Sequence, residues 1–383
     1  MHVFISAGEP SGDLHGASLA RAIRDLQPSV TITGFGGDQM RAAGCNLLYP
    51  LAEHAIMGLG GIVRALPTMI RLLDRMTGEF KRRRPDAVVL IDYPGFHWHV
   101  ARRVKVLGVP VISFVPPQIW AWLSHRVRKM RANFTEVLCA LPFEEPWFRE
   151  RGLAARYVGH PYFDALAAQQ PDKAFLCDQR RRGGPIVGIL PGSRQGEIDR
   201  NLELLVGAMK VVHVARPDAR FLVGCFRPGH RDQVKSRLQG MRLPAEVLVG
   251  RTPEVIALAD ACAAVSGSVG LELLYRRVPT VVVYRVNPLY VRLRRILIKV
   301  PYVSLVNLLA DRELYPEFVT SSTDPSGPAA PIIRWLNHPP ERQAVRDDLD
   351  RLLAVVGRPG ACRRAAEAVI DLVSRRASAP TAA

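Results

Sequence analysis

The sequence predicts an α/β protein made of two Rossmann-like, doubly wound parallel-sheet domains with a cleft between them and a helical C-terminal segment. Three observations carry that prediction. Short apolar, β-branched runs recur, separated by stretches of helical periodicity, which is the rhythm of βαβ units. The rhythm lapses once, after residue 168, and restarts at residue 186. Several runs break into glycine-containing turns that lead into a helix, as the carboxyl ends of parallel strands do.

In order, the first domain (residues 1–168) is expected to place strands at Val3–Ala7, Thr31–Phe35, Ala87–Ile91, Val109–Val115, Val137–Leu141 and Tyr157-Val158. Residues 169–185, with Gln169-Gln170-Pro171 and Gly183-Gly184-Pro185, read as a linker. The second domain (residues 186–325) has strands at Ile186–Leu190, Arg220–Gly224, Glu246–Val249, Ala261–Val265 and Thr280–Val283. Residues 326–383 carry only helical patterns, packing across domains or exchanged in a dimer, and end in a disordered-looking Ala377–Ala383 tail. A chain of 383 residues fits two domains of ordinary size.

With 52 Lys+Arg against 35 Asp+Glu the net charge is +17, which suits an anionic partner: a nucleotide, a nucleic acid or an anionic membrane surface. The runs Lys81–Arg84, Arg180–Arg182 and Arg375-Arg376 equally suit solvated helix ends. Six scattered cysteines, without a CxxC pair or clustered histidines, suggest neither a zinc site nor a disulfide framework, and no metal or cofactor is expected. Residues 1–7 read as a strand rather than a secretory leader, and no apolar run reaches the roughly 18 residues that span a bilayer, so a cytoplasmic protein is expected. A P-loop, HExxH and GxSxG are all missing from the sequence. Asp347-Asp348-Leu349-Asp350 has the spacing of a solvated helix face.

The turns after strands hold the candidate chemistry. Ile189-Leu190-Pro191-Gly192-Ser193-Arg194, followed by Gly196-Glu197, offers a tight glycine turn, amides at a helix start and the charged fork of Arg194, all suited to a phosphate. Gly8-Glu9-Pro10-Ser11-Gly12-Asp13 is glycine-rich too, but the carboxylates of Glu9 and Asp13 repel phosphate and suit sugar hydroxyls or proton transfer; Asp13 also fits a helix cap. Asp92, in Ile91-Asp92-Tyr93-Pro94-Gly95-Phe96, is either a general base at a strand end or a turn residue before Pro94. Ser266-Gly267-Ser268-Val269-Gly270-Leu271-Glu272 lets a ligand approach the backbone, and Glu272 has two oxygens for a ribose diol. Tyr284 and Arg285 add a ring and a cation to the same sheet edge. Asn307 is either a satisfied buried amide or a site residue.

Residues 55–73 combine Ile56, Met57, Leu59, Ile62, Leu66, Met69 and Ile70 with Arg64 and Arg71, a basic apolar pattern that suits a membrane interface or acyl chains; Pro67 is expected to interrupt any long helix there. Residues 289–300 repeat the theme.

Taken together, these motifs resemble the lipid-A-disaccharide synthase family of inverting GT-B glycosyltransferases. The resemblance spans nearly the whole chain: Ser6–Asp13, Met57-Gly58, Asp92–Phe96, Pro116–Trp122, Leu141–Glu144, Val158–Pro161, Leu190–Arg194, Ser266–Ser268 with Glu272, and Tyr302–Leu309. It implies transfer from UDP-2,3-diacylglucosamine to the 6-hydroxyl of 2,3-diacylglucosamine 1-phosphate (lipid X), giving a β-1,6-linked disaccharide and UDP. Asp92 would be the base, with Glu9, Asp13 and Asn307 as further catalytic candidates. Gly192, Ser193, Arg194, Ser266, Gly267, Ser268, Glu272, Tyr284 and Arg285 would hold the UDP-sugar. Peripheral attachment to the cytoplasmic face of the inner membrane, and dimers that exchange C-terminal segments, are also implied. His97 and Pro117 depart from the family's usual asparagine and serine, and Ser268 and Gly270 stand for its threonine and alanine. A related GT-B enzyme acting on UDP-N-acetylglucosamine, an epimerase or a peptidoglycan-type transferase, would share the nucleotide half. A nucleic-acid-binding protein would explain the charge, yet no aromatic-basic RNA motif or helix-turn-helix pattern is present, so nucleic acid is not expected as a partner.

Overall fold

The computed structural model describes residues 1–54, 59–287 and 300–378. The chain forms two α/β units, one comprising Met1–Ala167 and the segment from Arg358 onward, the other Ala168–Gly357.

The first unit is built on β1 (His2–Ala7), β2 (Thr31–Phe35), β3 (Asn46–Tyr49), β4 (Ala87–Ile91), β5 (Val111–Phe114), β6 (Glu136–Cys139) and β7 (Ala155–Tyr157). Its seven strands pair in the order β3-β2-β1-β4-β5-β6-β7, all parallel. Side chains alternate across the sheet with the period of two that extended backbone imposes. Val3, Ile5 and Ala7 join Ala87, Val89 and Ile91 against the helices Pro10–Leu26 and Ala361–Ser378, whereas Phe4, Val88 and Leu90 face the helices Leu59–Arg82 and Pro94–Val106. Strand order reverses between β1 and β4, so the turns leaving their carboxyl ends flank a topological switch point, where such sheets bind ligands.

The second unit repeats the plan with β8 (Ile186–Leu190), β9 (Arg220–Cys225), β10 (Ala245–Val249), β11 (Ala261–Val265), β12 (Thr280–Arg285) and β13 (Glu317–Thr320). The order is β10-β9-β8-β11-β12-β13, again parallel throughout, with the reversal between β8 and β11.

Several expectations are corrected. β3 and β13, which the sequence did not signal, add an edge to each sheet. Residues 169–185 are not a bare linker: Lys173–Arg181 is a helix whose N-cap, Asp172, accepts from Phe175 N at 3.1 Å and pairs with Arg251 at 2.8 Å, tying it to the second unit. The late helices divide. Ser326–Asn337 and Pro339–Val356 belong to the second unit, while Ala361–Ser378 lies on Pro10–Leu26 in the first. There Asp164 caps it, accepting from the amides of Gly360, Ala361 and Cys362 at 2.6, 3.2 and 2.8 Å. Pro67 does not break the helix Leu59–Arg82, because it is exposed and the same helix buries Leu72, Leu73, Met76 and Phe80 in the core beyond it. Among the described residues, no helix is long and apolar enough to cross a membrane.

Candidate active site

At the switch point of the first unit, the chain leaves β4 through a sharp elbow. Asp92 and Tyr93 have φ of 46° and 50°, two left-handed non-glycine residues in succession, and Pro94 then starts the helix Pro94–Val106. Each such residue costs on the order of 1–3 kcal/mol, a strain that clusters at functional sites. Packing holds the elbow from the β1 side. The Tyr93 ring lies over Gly8, where a Cβ would stand 2.2 Å from the ring, so only glycine fits the first turn. His97, one turn into the helix, is 2 % exposed; its Nδ1 lies 2.6 Å from the Asp92 carbonyl and its Nε2 2.8 Å from Ser6 Oγ on β1. Burial pushes the His97 pKa down to about 4, so the ring is neutral. Asp92 lines a shallow, open pocket with His97, Trp98, Ser113, Pro117 and Phe134.

The next two strand ends are joined by a buried carboxylate. Glu144 is 1 % exposed and accepts from Trp120 Nε1 and from the amides of Ala140 and Leu141, each at 3.0 Å, so it ties the turn after β6 to the tryptophan loop after β5. Burial raises its pKa to about 7, against the pull of those three donors and with a smaller push from the charge of Asp92.

Other first-unit candidates have structural duties. The buried Asp13 carboxylate accepts from the amides of Gly37, Gln39 and Met40 at 2.6, 2.9 and 3.2 Å, capping the helix Asp38–Ala42. Asp13 thus lies inside the helix it was expected to cap and caps another one, which leaves it little capacity for proton transfer. Glu9 is the N-cap residue of Pro10–Leu26, though its side chain makes no capping bond. Of the lipid-contact candidates, Ile56 and Met57 lie outside the described residues, and Leu59 and Ile62 fall in the opening turns of Leu59–Arg82. Leu66 and Ile70 are 54 % and 50 % exposed on that helix. Met69 is corrected: it packs against the core beside Leu72 and Leu73.

At the second switch point, Gly192 takes a φ of 110° after β8, which favours glycine. The amides of Ser193 and Arg194 were expected to face a bound phosphate; they donate instead to Glu197 Oε2 at 3.1 and 3.2 Å, and Arg194 Nη1 pairs with Glu197 Oε1 at 3.2 Å. The glutamate at the third helical position completes a capping box, so the chain's own carboxylate occupies the anion position. Across the reversal, Ser266 Oγ donates to the Val303 carbonyl at 3.1 Å and Ser268 is the N-cap of Val269–Tyr275. A Cβ on Gly267 would meet nothing within 4 Å, so packing does not account for this glycine. Ser266, Gly267, Gly270, Ser304 and Tyr315 line a small pocket. Glu272 is 3 % exposed with Oε1 3.7 Å from Arg276 Nε, a partner that offsets its buried charge.

Two candidates are spent on the fold. Arg285, next to half-buried Tyr284, turns its guanidinium to the Arg200 carbonyl and Glu203 at 3.1 and 3.2 Å. Asn307 is fully buried: Nδ2 donates to the Tyr315 carbonyl and Glu317, and Oδ1 accepts from Leu314 and Tyr315, which exhausts its bonding capacity. It is the satisfied buried amide. Glu317, which sequence reasoning missed, also accepts from Val303 and Ser304 and so anchors the loop beside Ser266.

The family described as "Lipid-A-disaccharide synthetase" matches residues 3–370. The lipid-A-disaccharide synthase of Myxococcus xanthus (strain DK1622) is 36 % identical over 375 residues, 97 % of each chain. The chain belongs to the lipid-A-disaccharide synthase family. Solved structures agree on the architecture: UDP-GlcNAc 2-epimerase from Neisseria meningitidis, bound to UDP-GlcNAc, has a TM-score of 0.68 at 12 % identity, covering 97 % of this chain and 100 % of that one. MurG from Acinetobacter baumannii has a TM-score of 0.58 at 13 % identity, covering 97 % and 99 %. The fold is GT-B, and this lipid-A-disaccharide synthase family member is a glycosyltransferase.

Proposed function

We propose that the enzyme transfers 2,3-diacylglucosamine from UDP-2,3-diacylglucosamine to the 6-hydroxyl of 2,3-diacylglucosamine 1-phosphate, with inversion, giving the β-1,6-linked disaccharide 1-phosphate and UDP. The observation that carries the reading is Asp92, set on a strained elbow at the switch point of the first sheet and lining a pocket. Asp92 takes the proton of the 6-hydroxyl while that oxygen attacks the anomeric carbon. The bond to the diphosphate breaks and its electron pair leaves with UDP. A positioned base contributes on the order of 10²–10⁴ in rate.

The second unit holds the nucleotide in this reading. Arg194, 56 % exposed at its side chain, meets the diphosphate, and the loop of Ser266, Gly267 and Ser268 admits it close to the backbone. Glu272, with Arg276 beside it, meets the ribose hydroxyls. A neighbour of the same fold bound to UDP-GlcNAc supports a UDP-sugar as the donor. Leu66 and Ile70, exposed on one helix face four residues apart with Arg71 beside them, meet the cytoplasmic surface of the inner membrane or the acyl chains drawn from it.

Incubating the protein with both lipids in detergent micelles and following the products by mass spectrometry tests the proposal. Disaccharide and UDP should appear together. UDP binding without disaccharide would overturn it in favour of a UDP-N-acetylglucosamine enzyme with another acceptor.

A further inference from the structure

We propose that His97 is a positioning residue for the transfer, its ring locked in one tautomer between Ser6 and the Asp92 carbonyl so that the left-handed elbow holds the Asp92 carboxylate in place. The inference rests on the reading of Asp92 as the base. The Asp92 carbonyl oxygen can only accept, so the nitrogen 2.6 Å away, His97 Nδ1, carries the hydrogen. In the neutral ring Nε2 is then an acceptor, and the Ser6 hydroxyl, 2.8 Å away, donates to it. The direction of both bonds is thereby fixed.

The place of these bonds matters as much as their direction. The ladder between β4 and β5 ends at Ile91 opposite Phe114, so the Asp92 carbonyl lies just past the last paired residue, within the left-handed elbow itself. There the strand's own hydrogen bonds stop and a side chain from the following helix takes over. Ser6 pairs with Leu90 in the neighbouring ladder, which anchors the far side of the ring to β1. The relay runs from the centre of the sheet to the carbonyl of the reacting residue.

Substitution separates the two bonds. In His97→Asn the carboxamide nitrogen takes the place of Nδ1 and keeps the bond to Asp92; in His97→Gln the carboxamide oxygen takes the place of Nε2 and keeps only the bond from the Ser6 hydroxyl. His97→Phe keeps an aromatic ring, though a larger one, and loses both. If His97 positions Asp92, kcat falls about thirtyfold or more in the Phe and Gln variants and about fivefold or less in the Asn variant, with KM and UDP affinity unchanged, since displacing a reacting group by an ångström costs on that order. A filling role predicts the opposite ranking, because Gln matches the imidazole volume better than Asn. Gln as active as Asn, or Phe within threefold of wild type, overturns the proposal.

A second measurement does not depend on how the variants fold. In the wild-type enzyme, ¹⁵N spectra of His97 should show a protonated Nδ1 and an unprotonated Nε2; the reverse tautomer overturns the proposal. Asp92→Asn keeps the two failures apart. If it turns over normally, the base reading itself is wrong, whereas an inactive Asp92→Asn beside normal His97 variants removes the positioning role alone.

Discussion

Replacing Glu144 by glutamine should change how the stability of the first unit responds to pH. The folded carboxyl has its pKa raised from 4.5 to about 7, mainly by burial. Between those values the folded state binds more protons than the unfolded chain, so this group's contribution to stability falls as pH rises through the window. The difference corresponds to about 3 kcal/mol of penalty at pH 8 and about 1 kcal/mol at pH 5.5, leaving a change of about 2 kcal/mol between them. Glu144→Gln removes that change. It also opposes an amide NH₂ to donors from Trp120, Ala140 or Leu141, a cost that does not vary with pH. The assay is urea unfolding of both proteins at pH 5.5 and 8, with the transition of the first unit fitted separately because two units need not unfold together. Wild type should lose about 2 kcal/mol relative to the variant on going to pH 8, the histidines cancelling in the comparison. Parallel behaviour would refute the argument. It would mean that the three N–H donors outweigh desolvation and keep the carboxylate ionised throughout.

The remaining predictions concern the two sites and the exposed helix. Arg194→Ala should weaken UDP binding about tenfold to a hundredfold by calorimetry, the worth of a charge-assisted contact, and an unchanged affinity would contradict the phosphate role. Asp13→Ala should destabilise the first unit by about 3–5 kcal/mol, since it strands three amides, while the folded fraction keeps its turnover; loss of turnover without loss of stability would return Asp13 to the chemistry. Leu66→Ser combined with Ile70→Ser should lower binding to anionic vesicles in a flotation assay about tenfold with micellar activity retained, and equal binding would place the lipid contact elsewhere.

The contrast between what the sequence revealed and what it hid follows the range of the interactions. Eleven strands announced themselves because each is a short apolar run with turn residues at its ends. β3 and β13 are four-residue edge strands, mostly half-buried, and offer neither a continuous apolar run nor clean alternation. Lys173–Arg181 has a polar composition, and glycines follow it, so local signals favoured a loop while tertiary contacts made a helix. The turns at Gly192, Ser266 and Asp92 were legible because a strand end, a glycine or proline and a helix start are neighbours in sequence. What occupies them was not. Glu197 was visible beside Arg194, yet only the folded turn shows its carboxylate on the amides; Ser6 and His97 are 91 residues apart, and Asp13 reaches amides 24 to 27 residues away. Such pairings depend on strand order, which periodicity does not encode.

The return of Ala361–Ser378 to the first unit also sets the order in which the protein can be completed during synthesis. The first sheet is laid down by residue 157, but Ala17, Ala20 and Ile23 of its first helix remain without their covering partner, and Asp164 without the amides it caps, until Ala361–Ser378 has left the ribosome. The second unit, inserted between those two halves, contains all of its strands by residue 320 and its helices by residue 356. The unit that begins the chain is therefore the last to be finished. A premature stop after Gly357 would spare the second unit and expose an apolar helix face on the one that carries Asp92, making such products natural substrates for chaperones and proteases.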